Sequence, residues 1–150
     1  FIKPVSSINH TPKPAPSNFL ESSFDGSYYY NATRDPWRLG TDGLLNNDAR
    51  SLAEVRKISS WIQTAVAGAP ASIRAGYKLT GKPLAGSNYF TTVFVAPFGV
   101  AAMTQSSQQQ WLNTIYSAVY NVHEDYFEDS VTLLCLLVMT GNYWDPTTID

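Results

Sequence analysis

Large side chains with polar ends crowd one short stretch of the chain, residues 28–42 (YYYNATRDPWRLGTD). A helix start accounts for part of this stretch, since Asp35 followed by Pro36 has the form of an N-cap and a proline in the first helical position. That interpretation leaves Tyr30, Asn31 and Arg34 without a role. Aromatic side chains such as these can stack on uncharged rings, those of sugars among them.

The bulk composition describes one folded domain and excludes several classes of function. At 150 residues, with 44% hydrophobic and 15% charged residues, the chain is too apolar for a disordered segment. A net charge of −2 gives no electrostatic case for binding nucleic acid or an acidic membrane surface, and no apolar run is long enough to span a membrane. The aromatic share of 13% fits a sugar site, but a large core would show the same surplus.

Apolar periodicity, proline and glycine predict five helices behind an extended arm. Residues 1–20 form a proline-rich arm, which carries a glycosylation sequon at Asn9. The predicted helices cover residues 35–45, 48–67, 94–104, 107–120 and 127–140, with stops at Gly68 and Gly141. Pro97 is tolerated in the third helix if it lies in the opening turn, and we expect Ser106 or Ser107 to begin the fourth. The glycine-rich segment 69–90 should turn as a small hairpin around Thr80 and Gly81.

The last predicted helix is apolar on nearly all sides through LLCLLVM, so we expect it to be buried on most sides, with Cys135 as a small core residue. Amphipathic outer helices that alternate with apolar inner ones are typical of a two-layered helical barrel. The predicted fold class is therefore all-α. Five helices are too few to close such a barrel, so we expect the chain to be about half of one.

Four blocks of residues, in this order, resemble the C-terminal half of glycoside hydrolase family 8. They are YYYNATRDPWRLGTDGLLNNDAR, FVAPFGVAAM, QQQWLN and DYFEDSVTLLCLLVMTGNYW, and the likeness covers residues 21–144. The family contains endoglucanases, lichenases and chitosanases built on an (α/α)6 barrel. The resemblance implies that residues 1–150 are the C-terminal half of one catalytic domain of a secreted, inverting endo-β-1,4-glycosidase, acting on chitosan or β-glucan without a cofactor.

The resemblance also implies which residues could act as the general base. Most of the family carries a tyrosine–aspartate pair, followed closely by an arginine, and the aspartate is the base. Here Asn31 stands in the aspartate position, and an amide has no basic lone pair at neutral pH. The chitosanase and lichenase subgroup has asparagine there and takes its base from a glutamate in the loop upstream. Glu21 matches that pattern, ten positions before Asn31.

On this interpretation Glu21 activates water and Asn31 orients it. Tyr30, Arg34 and Tyr29 bind substrate. Simpler interpretations stay open: Glu21 as a solvated loop charge, Arg34 in a salt bridge with Asp35 or Asp42, and the site as a binding relic. Trp37 is expected in the core. Of Tyr28 and Tyr29, one is expected to face the cleft and the other to pack.

Two further features bear on function. The run HEDYFEDS, residues 123–130, has no zinc or calcium spacing, so capping and the helix dipole explain its acids and no metal is expected. The acids Glu21, Asp25 and Asp35 slightly favour a cationic substrate, chitosan. We find no candidate for the general acid. With Phe1 as the first residue, we expect part of a longer enzyme, one chain of a nicked enzyme that pairs with its N-terminal chain, or a non-catalytic carbohydrate-binding half-barrel.

Overall fold

A computed structural model describes residues 13–145; the sequon at Asn9 and most of the proline-rich arm lie outside them. Five α-helices follow one another: α1 Arg34–Asn46, α2 Ala49–Ala65, α3 Thr92–Ala102, α4 Gln109–Val119 and α5 Tyr126–Met139. Over residues 13–145 the chain forms no β-strand, only isolated bridges of Tyr77 with Tyr28 and Pro83. The all-α prediction is confirmed for this part of the chain, and the half-barrel stays a prediction.

Helix α3 lies at the centre of the fold. All eleven of its residues are buried, and it packs against α1, α2, α4 and α5. The segment TVFVAPFGVAA contains no charged side chain, which is the pattern of a helix covered on every side. From the sequence, Pro97 was expected only in the opening turn of this helix, and that expectation is wrong. The helix begins five residues earlier, at Thr92, so Pro97 lies in its interior and cannot donate to the Val93 carbonyl.

Small residues let α1 approach its neighbours closely, Gly40 toward α3 and Gly43 toward Leu52 of α2. The buried residues of α1 are Pro36, Gly40 and Gly43, which recur at helical spacing on one face. A Cβ atom on Gly40 would lie 3.0 Å from Val100 Cγ1 and 3.2 Å from the Val100 carbonyl oxygen. The backbones of the two helices therefore meet at Gly40, and this contact positions the helix whose first residue is Arg34.

Helix α5 is less buried than the sequence predicted. Val131, Cys135 and Val138 are buried against the core, whereas Leu133 is 58% and Leu134 38% exposed. The helix is apolar around most of its circumference, but among residues 13–145 it packs mainly against α3 and only slightly against α1 and α4. Cys135 is a core residue, as predicted, and its burial raises the pKa of the thiol.

Several helix ends differ from prediction. Helix α1 begins at Arg34 with Thr33 as its N-cap, so Asp35 lies inside the first turn instead of capping it. Ser106 and Ser107 belong to a 3₁₀ turn, Ser106–Gln108, and neither side chain caps α4. In both places a short turn before the helix moves the start away from the residue with the best capping chemistry.

Other predicted ends are present. Asp48 caps α2, because its Oδ1 accepts from the backbone N–H groups of Arg50 at 3.0 Å and Ser51 at 2.9 Å. Gly141, with φ +72°, ends α5 as predicted. The turn at Thr80 and Gly81 is also present, since the Lys78 N–H donates to the Lys82 carbonyl at 2.8 Å.

Candidate active site

The loop that carries Glu21 is organised by the carboxylate of Asp25. Its oxygens accept hydrogen bonds from three backbone N–H groups, those of Leu20 at 2.7 Å, Glu21 at 3.0 Å and Ser22 at 3.1 Å. These bonds, led by the one from Leu20, lower the pKa of Asp25. Asp25 therefore binds its own loop while it stays ionised, and its expected lean toward a cationic substrate stays a prediction. Sequence reasoning missed its structural role.

Glu21, Asn31 and Arg34 form one hydrogen-bonded chain. Asn31 Nδ2 donates to Glu21 Oε2 at 3.2 Å, and Arg34 Nη2 donates to Asn31 Oδ1 at 2.6 Å. Arg34 Nε also donates to the Asn31 backbone carbonyl at 3.2 Å. Because the guanidinium holds Oδ1, the NH₂ group of the amide must point toward the carboxylate. The three residues that the sequence singled out therefore meet, while their chemical roles stay predictions.

The contacts of Arg34 do not support its alternative interpretation as a partner of nearby acids. Among residues 13–145 the structure gives it no ion pair with Asp35 or Asp42, and its guanidinium instead engages Asn31. Glu21 is exposed, whereas Asn31 and Arg34 are half-buried. A carboxylate open to solvent beside a fixed amide can accept a proton from a water molecule that both groups bind.

Three consecutive tyrosines take different environments beside this chain. Tyr28 is buried in the core, 7% exposed, and Tyr29 and Tyr30 are half-buried, with ring centroids 5.0 Å apart in an edge-to-face pair. Packing of Tyr28 was one of the two alternatives that the sequence left open. The Tyr30 hydroxyl lies 3.2 Å from that of Tyr89, which is 59 residues later. Sequence reasoning missed Tyr89, because nothing in its loop indicates contact with residue 30.

A groove of about 480 Å³ lies next to this region but does not include it. Its lining contains Tyr28, Asp35 and Trp61, and none of the predicted site residues. Trp37 packs against the core, half-buried, as predicted. Over the described residues no three potential metal ligands come together, and no helix is both long and apolar enough to cross a bilayer.

The fold and the site define an all-α protein with a carboxylate–amide–guanidinium chain at the start of one helix and phenol rings around it. Known proteins that are similar to this chain carry the names of glucan-hydrolysing enzymes. The chain is 45% identical over 135 residues to a protein named β-glucanase from Niallia circulans. It is 40% identical over 140 residues to an endoglucanase from Bacillus sp. strain KSM-330. No family model matches it.

A solved structure has the same fold. The apo structure of a β-1,3-1,4-glucanase from Paenibacillus sp. X4 matches with a TM-score of 0.81 and 43% identity over 88% of this chain. The alignments cover 89% and 93% of this chain for the two curated relatives. The chain spans only about a third of these relatives, 32% and 30% of the two proteins and 35% of the solved structure. The similarity is therefore to one part of larger glucan-degrading enzymes.

Proposed function

We propose that this chain supplies the general-base side of an inverting endo-β-glycosidase of glycoside hydrolase family 8 that hydrolyses β-glucan. The observation that carries the proposal is the chain of hydrogen bonds from Arg34 through Asn31 to Glu21, at 2.6 Å and 3.2 Å. It supplies an exposed carboxylate and a fixed amide, the two groups needed to bind and activate water.

The reaction follows from these groups. The Glu21 carboxylate takes a proton from water as the water oxygen attacks the anomeric carbon, and Asn31 donates its second N–H to hold that water. The bond from the anomeric carbon to the leaving oxygen breaks, and a carboxylic acid protonates this oxygen. In an inverting enzyme the two carboxyl groups stand roughly 6.5–9.5 Å apart, leaving room for the water.

The general acid is proposed to come from a part of the enzyme outside residues 13–145, either the same polypeptide or an N-terminal partner chain. Relatives about three times as long support this. Their names favour β-glucan over chitosan. Because a polysaccharide is too large to enter a cell, we propose that the enzyme is secreted.

The test measures release of reducing ends from β-glucan and from chitosan by the intact protein and by Glu21→Gln. Loss of the base should lower kcat on β-glucan by roughly 10²–10⁴-fold, because the amide cannot accept the proton. Glu54→Gln is the matched control, since Glu54 is exposed and pairs with Lys57 at 2.7 Å on α2. It should retain wild-type turnover.

Each other outcome has a defined meaning. Unchanged turnover by Glu21→Gln would show that Glu21 is not the base. Faster hydrolysis of chitosan than of β-glucan would overturn the substrate assignment. Saccharide binding without hydrolysis by the wild-type protein would favour the other class of function, a non-catalytic carbohydrate-binding protein.

A further inference from the structure

The phenol of Tyr89 meets the candidate site from a different part of the chain. Its hydroxyl oxygen lies 3.2 Å from that of Tyr30, and the side chain is exposed at the surface, 43%. The loop beneath it is held by its own hydrogen bonds. The Tyr89 N–H donates to the Ser87 carbonyl at 2.8 Å, and the buried Ser87 hydroxyl donates to the Leu84 carbonyl at 2.8 Å.

The Tyr30 ring packs among other aromatic rings. Its ring centroid lies 5.0 Å from that of Tyr29, 5.1 Å from Phe94 and 6.2 Å from Phe127. Burial, the hydrogen bond with Tyr89 and the charge of Glu128 all raise the pKa of the Tyr30 phenol. The hydroxyl therefore stays protonated at any pH where a glycosidase works, and it can donate or accept a hydrogen bond.

The two hydroxyls together have unused hydrogen-bonding capacity. One phenol donates to the other, so the acceptor keeps its own proton to donate outward, and both oxygens keep free lone pairs. If the Tyr30–Tyr89 hydrogen bond served only to stabilise the loop, Tyr89 would not need to be exposed. Hydrogen bonds of Ser87 already stabilise this loop. A neutral donor and neutral acceptors at fixed positions match neighbouring hydroxyl groups on a sugar ring better than they match an ammonium group.

We infer that Tyr89 is a further substrate-binding residue of this site, and that the Tyr30–Tyr89 hydroxyl pair binds hydroxyl groups of a glucosyl unit beside Asn31. The inference rests on the proposed function and deepens it, because it assigns hydroxyl recognition to a residue far from Asn31 in the sequence. Tyr89 contributes to binding and takes no part in proton transfer. Removal of its hydroxyl should therefore raise KM and leave kcat nearly unchanged.

The experiment uses Tyr89→Phe, Tyr30→Phe and the double variant, each of which keeps the ring and removes the hydroxyl. Tyr120→Phe is the matched control, since Tyr120 directly follows α4, is 49% exposed and stacks on Tyr116 of that helix. Affinity for a β-gluco-oligosaccharide is measured by calorimetry in the Glu21→Gln background, which avoids turnover. KM and kcat are measured on β-glucan with Glu21 present.

Tyr89→Phe should weaken oligosaccharide binding and raise KM by roughly 3- to 10-fold, the effect of one lost hydrogen bond, with kcat within about twofold. The double variant should lose less than the product of the two single losses, because either change breaks the pair. Unfolding temperatures should match that of the wild-type protein.

The outcomes separate this inference from the proposed function. If Tyr89→Phe binds and turns over glucan like Tyr120→Phe, the inference is wrong, whatever Glu21→Gln shows. A lower kcat at unchanged KM would also overturn it. If the wild-type protein binds the oligosaccharide but hydrolyses nothing, the proposed function is wrong, and a weaker affinity of Tyr89→Phe still supports the inference. A wild-type protein that binds no oligosaccharide refutes both.

Discussion

Replacement of Glu124 by alanine should destabilise the protein, because this carboxylate holds the start of the central helix. Glu124 lies between α4 and α5, and its Oε2 accepts from the Thr92 N–H at 2.6 Å, the Thr92 hydroxyl at 2.5 Å and the Thr91 hydroxyl at 3.1 Å. Thr92 is fully buried and Thr91 nearly so. In the described part of the chain, Glu124 is the carboxylate that accepts these hydrogen bonds, and no second carboxylate contacts either threonine.

The expected loss follows from the groups left without an acceptor. A buried donor without a partner costs about 1–3 kcal/mol, and the carboxylate at a helix N-terminus adds about 0.3–1 kcal/mol. The Thr92 hydroxyl can rotate to another acceptor, so the losses do not simply add. We expect Glu124→Ala to lower the free energy of unfolding by about 3 kcal/mol, which for a protein of this size lowers Tm by roughly 6–12 °C.

Urea unfolding followed by far-UV circular dichroism measures this loss. Glu124→Gln keeps one acceptor oxygen and should lose only about 1 kcal/mol. Glu54→Ala removes an exposed carboxylate on α2 and should stay within about 0.5 kcal/mol of the wild-type protein. A Glu124→Ala protein as stable as Glu54→Ala would refute the argument that this cap supports α3.

Three further predictions concern packing, the loop and the amide. Gly40→Ala should destabilise the protein by about 1 kcal/mol in thermal unfolding, because overpacking against the Val100 backbone outweighs the better helix propensity of alanine; a more stable variant would contradict the close contact of α1 and α3. Asp25→Ala should release the loop that carries Glu21 and lower kcat, with Tm nearly unchanged. Backbone N–H groups lower the pKa of Asp25 below the usual 3.8. The order of this loop should therefore persist as the pH falls to 3.8 and be lost at lower pH, where Asp25 becomes protonated. An NMR signal of the Glu21 amide that already broadens above pH 3.8 would contradict this assignment. Asn31→Ala should lower kcat on β-glucan less than Glu21→Gln does, and the reverse order would assign the main role to Asn31.

The helices were predictable where the local pattern matched the tertiary packing. Asp48 caps α2 and Gly141 ends α5, since the capping chemistry at both ends is local. The errors arose where packing decides. Pro97 lies inside α3, and α5 exposes Leu133. The local sequence predicts neither whether tertiary packing tolerates a proline inside a helix nor which side of an apolar helix is covered.

The candidate site was predictable only in part. The meeting of Glu21, Asn31 and Arg34 followed from residues close in sequence together with a family resemblance. Asp25 and Tyr89 were missed for different reasons. Asp25 acts through backbone N–H groups, which leave no mark on residue types, and Tyr89 reaches Tyr30 only through the fold.

Chemical rescue of Glu21→Ala by azide is the most direct test of the central claim, that Glu21 deprotonates the attacking water. The small side chain leaves room for an anion that attacks without needing a base. We predict that Glu21→Ala is nearly inactive on β-glucan, that azide restores turnover, and that the product is a glycosyl azide of inverted anomeric configuration. Wild-type turnover by Glu21→Ala without azide, or a product that retains the configuration, would contradict the account.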